Sequence, residues 1–171
     1  MDIKAFIAGV PNFPKPGIMF RDISPLLSNP EAFGKSVEMI ASGWNGSVDA
    51  VVALDARGFV FGAPVALALG VPFVMIRKKG KLPGKVVSYS YDLEYGSDTV
   101  EMKHDAFALG DRVLVVDDLL ATGGTAAAAC ALVEKVGASV AGCAFVIELD
   151  ALNGRAKLGG VPVQSLLHYG D

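Results

Sequence analysis

Short, nearly continuous runs of apolar residues alternate along this chain with longer segments of helical composition. Four apolar runs predict strands buried on both faces, at residues 49–54, 73–76, 112–116 and 139–147. Two helices are predicted, at residues 58–69 and 125–136, and the second is rich in alanine and other strong helix formers. Strands buried on both faces and separated by helices are typical of parallel sheets. The pattern therefore predicts an α/β fold with helices on both faces of one sheet.

Residues 59–76 form an uncharged stretch that reaches the lower length limit for a membrane-spanning helix. Gly70 and Pro72 interrupt it, and the residue before a proline is biased toward extended backbone. We therefore expect a buried helix, a turn and a short strand here, and no membrane segment.

Composition narrows the class of protein. A chain of 171 residues with 52% apolar and only 19% charged residues predicts one folded domain and excludes a disordered chain. The net charge of -3 argues against a surface for nucleic acid or for an anionic membrane. Cys130 and Cys143 belong to no CxxC motif, which predicts two buried free thiols, and the first residues lack a signal-peptide pattern. A cytoplasmic protein is expected.

Charged residues follow each of the four predicted strands directly. They are Asp55 and Arg57; Arg77, Lys78 and Lys79; Asp117 and Asp118; and Glu148. In open α/β sheets, ligands bind in the crevice beyond the carboxyl ends of the strands. Solvent exposure explains a single charged strand end equally well, but four in a chain with so little charge predict a site for a polar ligand.

Residues 113–125, with the sequence VLVVDDLLATGGT, carry the strongest chemical signal. The adjacent carboxylates Asp117 and Asp118 are suited to accept hydrogen bonds from sugar hydroxyls or to lie near Mg²⁺. The loop at 121–125 is glycine-rich and opens onto a helix, so its backbone N–H groups can cradle a phosphate. No lysine follows Gly124, which excludes a P-loop, and the acidic pair stands where a dinucleotide-binding motif needs glycine. The segment predicts a site for a phosphorylated sugar.

This segment resembles the phosphoribosyl pyrophosphate (PRPP) motif of type I phosphoribosyltransferases, and its DLLATGGT form resembles that of the adenine phosphoribosyltransferase family. Further matches cover most of the chain: NFPKPGIMFRDISPLL (12–27), DARGFVFG (55–62), IRKKGKLPG (76–84), YDLEYG (91–96) and ELDALNGRAKL (148–158). The PRPP motif alone indicates the superfamily, whereas FRDISPLL and RKKGKLPG indicate the adenine-specific family.

The resemblance implies a single-domain, parallel-sheet type I phosphoribosyltransferase fold with helices on both faces. It adds a small N-terminal hood, about residues 1–35, and a mobile flap hairpin, about residues 82–101. The implied reaction of purine salvage transfers 5-phosphoribosyl from PRPP to N9 of adenine through an oxocarbenium-like transition state, giving AMP and pyrophosphate. Mg²⁺ would be the cofactor, held mainly by the substrate, and the enzyme would be a cytoplasmic homodimer.

The resemblance also assigns residues to the parts of PRPP. The 5′-phosphate would be held by Ala121, Thr122, Gly123, Gly124 and Thr125, and the ribose hydroxyls by Asp117 and Asp118. The pyrophosphate would be bound by Arg57, Arg77, Lys78 and Lys81, with Arg57 also catalytic. Arg77, Lys78 and Lys81 could reach this group across a dimer interface.

An adenine slot is implied around the hood. Its residues would be Met19, read through its main chain, Phe20, stacked on the ring, Arg21, at the edge of the base, and Leu149, closing the other side. In the flap, Glu94 is the implied general acid or base and Tyr95 would cover the ribose.

One segment departs from the family pattern. Many bacterial members place a histidine two residues before the aspartate, whereas here the order is Lys103-His104-Asp105, so no role in the pocket is assigned to His104. Two alternatives to adenine transfer stay open. The same fold could act on hypoxanthine, guanine or xanthine, or the chain could be a regulator that binds PRPP without catalysis. The regulator is disfavoured because the chain has no length for a DNA-binding element and no net positive charge.

Overall fold

The strands form two sheets of very different size. Strands β1 (Ala8–Pro11) and β2 (Met19–Asp22) pair antiparallel as a separate ribbon. The other strands are β3 (Ala50–Leu54), β4 (Phe73–Lys78), β5 (Val86–Asp92), β6 (Ser97–Lys103), β7 (Arg112–Leu120), β8 (Ser139–Leu149) and β9 (Val163–Tyr169). In the computed structural model, which describes residues 1–93 and 95–171, they form one sheet in the order β5-β6-β4-β3-β7-β8-β9.

Four α-helices surround this sheet in the described residues. They are α1 (Ser24–Ser28), α2 (Pro30–Ser42), α3 (Arg57–Leu69) and α4 (Gly124–Lys135). The part of the chain that the structure describes also contains three short 3₁₀ helices, at Ile3–Phe6, Asp150–Leu152 and Gly154–Leu158.

The central strand β3 shows why the core has two halves. All five of its residues are buried, and side chains alternate between the faces of a strand. Val51 and Ala53 belong to the apolar cluster that also contains residues of α2 and α3. Val52 and Leu54 belong to the cluster on the opposite face, which contains the buried residues of α4. The predicted helices on both faces of the sheet are thus confirmed.

The predicted strands and helices are present, but three strands are longer than predicted. β4, predicted at 73–76, continues to Lys78, so Arg77 and Lys78 lie inside it. β7 continues to Leu120 and β8 to Leu149, so Asp117, Asp118 and Glu148 lie inside strands and not after them. The reason is that β7 and β8 keep pairing past the apolar runs, up to Leu120 opposite Glu148. Charge therefore did not mark the ends of these strands.

The parallel-sheet prediction is confirmed for β3, β4, β7 and β8, and β9, which was not predicted, also pairs parallel with β8. One edge is antiparallel, because β6 pairs antiparallel with both β4 and β5. The β5–β6 hairpin occupies most of the segment predicted as the flap, residues 82–101, and extends two residues past it.

Helix α2 was not predicted, although its start carries a recognisable signal. The side chain of Asn29 accepts a hydrogen bond from the backbone N–H of Ala32 at 2.9 Å, and Pro30 occupies the first helical position. The ribbon β1–β2 and the edge strand β9 were also missed, since neither has a continuous apolar run.

The two cysteines are buried free thiols, as predicted, with their Sγ atoms 3.7 Å apart between α4 and β8. Residues 59–76 are divided between α3 and β4, and Gly70 ends α3 with a left-handed φ of 69°. Within the described residues, no helix combines the length and the apolar character needed to cross a membrane.

Candidate active site

A cleft opens beside β7 because its neighbour β3 ends first. β3 pairs with β7 as far as Ala53 opposite Val116, whereas β8 stays paired with β7 up to Leu120. The side of β7 that faces β3 is therefore free beyond Val116. Asp117 and Asp118 lie on this stretch of β7, where the sheet order places the crevice expected for a ligand.

Asp118 is buried, with 5% of its surface exposed, and its Oδ2 atom lies 3.0 Å from Nε of Arg57. Arg57 is the first residue of α3, and its side chain is about half exposed. Its guanidinium carbon also lies 5.7 Å from the ring centre of Phe20, and the peptide bond Asp55–Ala56 before it is cis. Arg57 thus spans the distance from a buried acid to the open cleft and the N-terminal ribbon.

Asp117 lies in an environment that favours its protonated form. Burial raises the pKa of Asp117 well above its usual range, the charge of Asp118 raises it further, and Arg57 partly opposes both. Its Oδ1 atom accepts a hydrogen bond from the backbone N–H of Asp118 at 2.8 Å. Gly58 is needed beside it, since a Cβ there would lie 2.8 Å from that same oxygen. The pair can therefore offer a donor as well as acceptors to the hydroxyls of a sugar.

The glycine-rich loop connects β7 to α4 in a tight turn. Gly123 has a left-handed φ of 87°, and a Cβ on it would lie 2.4 Å from the carbonyl oxygen of Gly154. Both features exclude a side chain at this position. The N-terminus of α4 follows at once, and the hydroxyl of Thr125 there lies 3.3 Å from the hydroxyl of Tyr91. Unpaired N–H groups and the helix dipole favour an anion at such a turn.

Two cavities, of about 200 Å³ and about 190 Å³, lie side by side in the cleft. Both are lined by Arg57, Asp117, Asp118 and Thr125. The first is lined further by charged side chains that include Asp55, Arg77 and Lys78, and the second by the loop residues Ala121, Thr122, Gly123 and Gly124. The cleft therefore runs from a charged end, past the two acids, to the glycine-rich loop.

The cations at the charged end are paired with carboxylates. Nε of Arg77 lies 2.9 Å from Oδ2 of Asp55, and Lys78 forms an ion pair with Asp98. Its hydrogen bond to Asp98 raises the pKa of Lys78 and lowers that of Asp98. Lys81 is exposed and lines neither cavity. The structure thus brings Arg77 and Lys78 into the cleft beside Arg57, and leaves Lys81 at its periphery.

Glu148 does not belong to this site, so the prediction that all four charged strand ends form one site was wrong. Its side chain is 5% exposed and forms two hydrogen bonds with Arg155, at 2.7 and 2.8 Å. The hydroxyl of Ser165 donates a third, at 2.5 Å. These bonds lower the pKa of Glu148 and satisfy its carboxylate inside the fold. It lines neither cavity of the cleft.

The four residues of the predicted adenine slot have different surroundings. Met19 is 41% exposed, and Phe20 packs edge-on against Phe13 with ring centres 5.2 Å apart. Arg21 is bound to Asp171 and lies 4.0 Å from the ring centre of Tyr169, so its charge is already compensated. Leu149, the last residue of β8, packs against the core.

Of the two residues to which the flap prediction assigns roles, the structure describes Tyr95. Tyr95 is 88% exposed. Glu94, the predicted general acid or base, lies outside the described residues. His104 follows the hairpin, is partly exposed, and lies 3.1 Å from the carbonyl oxygen of Lys85 through Nδ1. This contact gives His104 a structural partner away from the residues that line the cleft.

Several residues around the cleft had no part in the sequence-based site. Tyr91, Asp98 and Glu101 come from the hairpin, and Gly154 comes from the turn that covers the glycine-rich loop. The alternation of residues 88–91 indicates a strand, but no local signal shows which of their side chains meet another element. These contacts depend on how the hairpin pairs with β4.

Comparisons with known proteins agree with this geometry. Residues 27–158 match the family model described as phosphoribosyl transferase domain. An adenine phosphoribosyltransferase from Carboxydothermus hydrogenoformans is 54% identical over 99% of this chain and 100% of its own length. The crystal structure of adenine phosphoribosyltransferase from Thermoanaerobacter pseudethanolicus matches with a TM-score of 0.94 and 50% identity, covering 98% of each chain. An enzyme of the same name from Trypanosoma brucei, in complex with AMP, pyrophosphate and ribose-5-phosphate, matches with a TM-score of 0.89 and 25% identity over 97% of this chain and 78% of its own.

Proposed function

Because the chain belongs to the adenine phosphoribosyltransferase family, we propose that it transfers the 5-phosphoribosyl group from PRPP to N9 of adenine, forming AMP and pyrophosphate. Full-length similarity to enzymes of that name supports the substrates, and the ligands of the trypanosomal enzyme support the products. The reaction would serve the salvage of free adenine.

One observation carries the proposal, and it is the order of groups along the cleft. PRPP has a pyrophosphate at one end, a ribose in the middle and a 5′-phosphate at the other. The cleft has Arg77 and Lys78 at one end, the acidic pair Asp117 and Asp118 in the middle, and loop 121–125 at the other. Each part of the substrate thereby meets the chemistry that recognises it: cations, carboxylates for a diol, and backbone N–H groups at a helix N-terminus.

The residues present fit a magnesium ion carried by the substrate. Asp117 and Asp118 are the cleft residues that would approach it, since Mg²⁺ takes oxygen ligands and is commonly bound through one or two carboxylates together with substrate phosphates. Within residues 1–93 and 95–171, one cluster has three potential metal ligands, Glu148, Asp150 and His168. The Glu148 carboxylate in it is already hydrogen-bonded to Arg155 and Ser165. When bound, the ion would supply positive charge to the pyrophosphate.

In the proposed chemistry, the bond from the anomeric carbon to pyrophosphate breaks before the bond to adenine N9 is complete. Negative charge grows on the leaving group, and Arg57, Arg77 and Lys78 offer fixed positive charge to it. Positive charge grows on the ribosyl ring beside Asp117 and Asp118. The N9 proton of adenine goes to a base, for which we propose Glu94. A flap closed over the cleft would keep water from capturing the ribosyl cation.

Adenine is proposed to bind between the N-terminal ribbon and the end of β8. Phe20 is the group that would stack on the base, and its neighbour Arg57 links this position to the ribose site. Recognition through the main chain near Met19, with Arg21 and Leu149 at the sides, would separate adenine from hypoxanthine. The exocyclic amine donates a hydrogen bond where an oxo group leaves a buried acceptor unpaired.

The experiment that tests this function mixes the purified protein with PRPP, Mg²⁺ and one base, and measures nucleotide and pyrophosphate formed. We expect AMP from adenine, with hypoxanthine, guanine and xanthine giving little product, and no reaction when Mg²⁺ is chelated. Faster turnover of an oxopurine would assign a different base. Binding of PRPP without turnover of any base would favour the regulator instead.

Replacing Asp118 by asparagine should weaken PRPP binding at least about tenfold. The amide carries no negative charge, so its hydrogen bonds to Arg57 and to the ribose diol are weaker than those of the carboxylate. The KM for PRPP and direct calorimetry measure the effect. Asp49→Asn is the matched control, since Asp49 pairs with Arg112 at the other end of β7. Equal PRPP affinity in Asp118→Asn and the wild type would contradict the ribose assignment.

Replacing Glu94 by glutamine should lower kcat by about 10²–10⁴-fold with little change in the KM for PRPP, since the amide cannot take up the N9 proton. The pH profile of kcat should lose one limb in the variant. A variant with unchanged turnover at every pH would remove Glu94 from the mechanism.

We also propose a homodimer in which Lys81, outside both cavities of its own chain, serves the pyrophosphate of the partner subunit. Mixed dimers of two inactive variants would regain activity if this is so. The cytoplasmic location stays a prediction, supported by two neighbouring thiols that are free, as is usual in a reducing compartment.

A further inference from the structure

We propose that Glu101 is a positioning residue for the pyrophosphate end of the cleft, acting through the turn 78–81 at the end of β4. The inference rests on the proposed function, because it assigns this turn to pyrophosphate. Glu101 lies on β6, directly opposite Arg77 of β4 on one side and Ser88 of β5 on the other. It therefore sits where the parallel sheet meets the hairpin.

Both oxygens of the Glu101 carboxylate accept hydrogen bonds, one from the turn 78–81 and one from β5. Oε1 accepts a hydrogen bond from the backbone N–H of Gly80 at 2.7 Å, and Oε2 accepts one from the hydroxyl of Ser88 at 2.9 Å. Glu101 is 7% exposed. A buried carboxylate is costly unless it is fully bonded, so these two bonds fix the turn and the hairpin relative to each other.

The turn held in this way carries an unusual density of positive charge. Four of the five residues from Arg77, the residue before the turn, to Lys81 are cationic, and Gly80, at the remaining position, has a left-handed φ of 85°. Asp55 and Asp98 pair with Arg77 and Lys78, but Lys79 and Lys81 also lie in this turn, and like charges so close together repel one another. The negative charge of Glu101 beneath Gly80 opposes that repulsion, and the Gly80 hydrogen bond lowers the pKa of Glu101, so the charge is retained.

Glu101 differs from the other carboxylates of the charged end in what it binds. Asp55 and Asp98 bind the side chains of Arg77 and Lys78, so a phosphate must compete with them for the same cations. Glu101 binds the backbone of the turn, through Gly80, and none of these cationic side chains is its hydrogen-bond partner. Its bonds can persist while pyrophosphate is bound, which is what a positioning residue requires.

Glu101 lines neither cavity of the cleft, so its effect should reach the reaction only through the turn. The test compares Glu101→Ala and Glu101→Gln with the wild type, measuring the KM for PRPP, the KM for adenine, kcat and inhibition by pyrophosphate. For Glu101→Ala we expect the KM for PRPP and the inhibition constant of pyrophosphate to rise about tenfold, with the KM for adenine within twofold. Glu101→Gln should lie between, since its amide oxygen can still accept the Gly80 bond.

Ser36→Ala is the control for general loss of a buried hydrogen bond, because Ser36 is fully buried on α2 and donates to the carbonyl of Phe33. It should lower stability without shifting either KM. Hydrogen exchange of the turn amides gives a second measurement that needs no activity, and exchange at Gly80 should be faster in Glu101→Gln.

The outcomes separate the two proposals. If the wild type forms no AMP, the proposed function fails, and the exchange at Gly80 still tests whether Glu101 holds the turn. If the wild type is active and both variants change the two KM values equally or not at all, the positioning role is overturned. A selective loss of PRPP and pyrophosphate affinity, with faster exchange confined to the turn, would establish it.

Discussion

Arg57→Ala should lower kcat/KM for PRPP by about 10²–10³-fold, which corresponds to about 3–4 kcal/mol of lost transition-state stabilisation. Arg57 lines both cavities and is bonded to Asp118, so its removal affects the pyrophosphate and the ribose sites together. It also leaves the buried Asp118 carboxylate without its cation, and this is the group proposed to bind the diol. Steady-state kinetics with PRPP as the varied substrate measure the loss.

Arg57→Lys should recover only part of this activity. Lysine keeps the charge, but it lacks the planar guanidinium that can contact Asp118 and lie beside the Phe20 ring at the same time. Arg112→Ala is the matched control, because Arg112 also forms a guanidinium–carboxylate pair, with Asp49, but at the opposite end of β7. If Arg57→Ala and Arg112→Ala had similar effects on kcat/KM, Arg57 would have only a structural role.

Three cations that line the cleft are paired with carboxylates, so the positive charge of the cleft is largely neutralised. Arg57 pairs with Asp118, Arg77 with Asp55 and Lys78 with Asp98, so the charged end is close to neutral without substrate. A phosphate that enters must take over these cations from the carboxylates. This arrangement is compatible with a net charge of -3, and it explains why the total charge of the chain does not reveal an anion-binding site.

The centre of the site could be predicted from the sequence because its chemistry is local. The buried strand, the acids Asp117 and Asp118, the glycine-rich loop and the helix follow one another directly along the chain. Each of them is indicated by its own residue types: an apolar run, paired carboxylates, glycines and strong helix formers. The central strands were predictable for the same reason, since β3 and β7 are buried on both faces and so have unbroken apolar runs. The start of α2 also has a local signal, the N-cap Asn29 followed by Pro30, although the helix itself was not predicted.

Contacts between distant segments could not be predicted in this way. Glu148 has the same local context as the acids of β7, yet its carboxylate meets Arg155 and Ser165 because the chain returns over the end of β8. Arg21 donates a hydrogen bond to Asp171, which is 150 residues away in the sequence. A charged side chain at a strand end therefore indicates a site only if no distant partner occupies it, and the sequence pattern does not contain that information.

Gly123→Ala should have the largest effect on the phosphate loop, lowering stability by more than about 2 kcal/mol and activity by at least about 100-fold. Alanine in left-handed backbone costs about 1–2 kcal/mol. The added Cβ would in addition lie 2.4 Å from the carbonyl oxygen of Gly154, a backbone atom that can move only with its whole turn. The resulting shift displaces the N–H groups of residues 123–125 from the phosphate. Thermal unfolding and the KM for PRPP measure the two effects.

Gly46→Ala separates the backbone cost from the clash. Gly46 has a comparable left-handed φ of 74°, but a Cβ there meets nothing within 4 Å, and it lies in the connection between α2 and β3. It should lower the melting temperature by a few degrees and leave the KM for PRPP unchanged. If Gly123→Ala were no worse than Gly46→Ala in either measurement, contact with the Gly154 turn would not shape the loop. The preference for glycine at 123 would then come from the left-handed backbone alone.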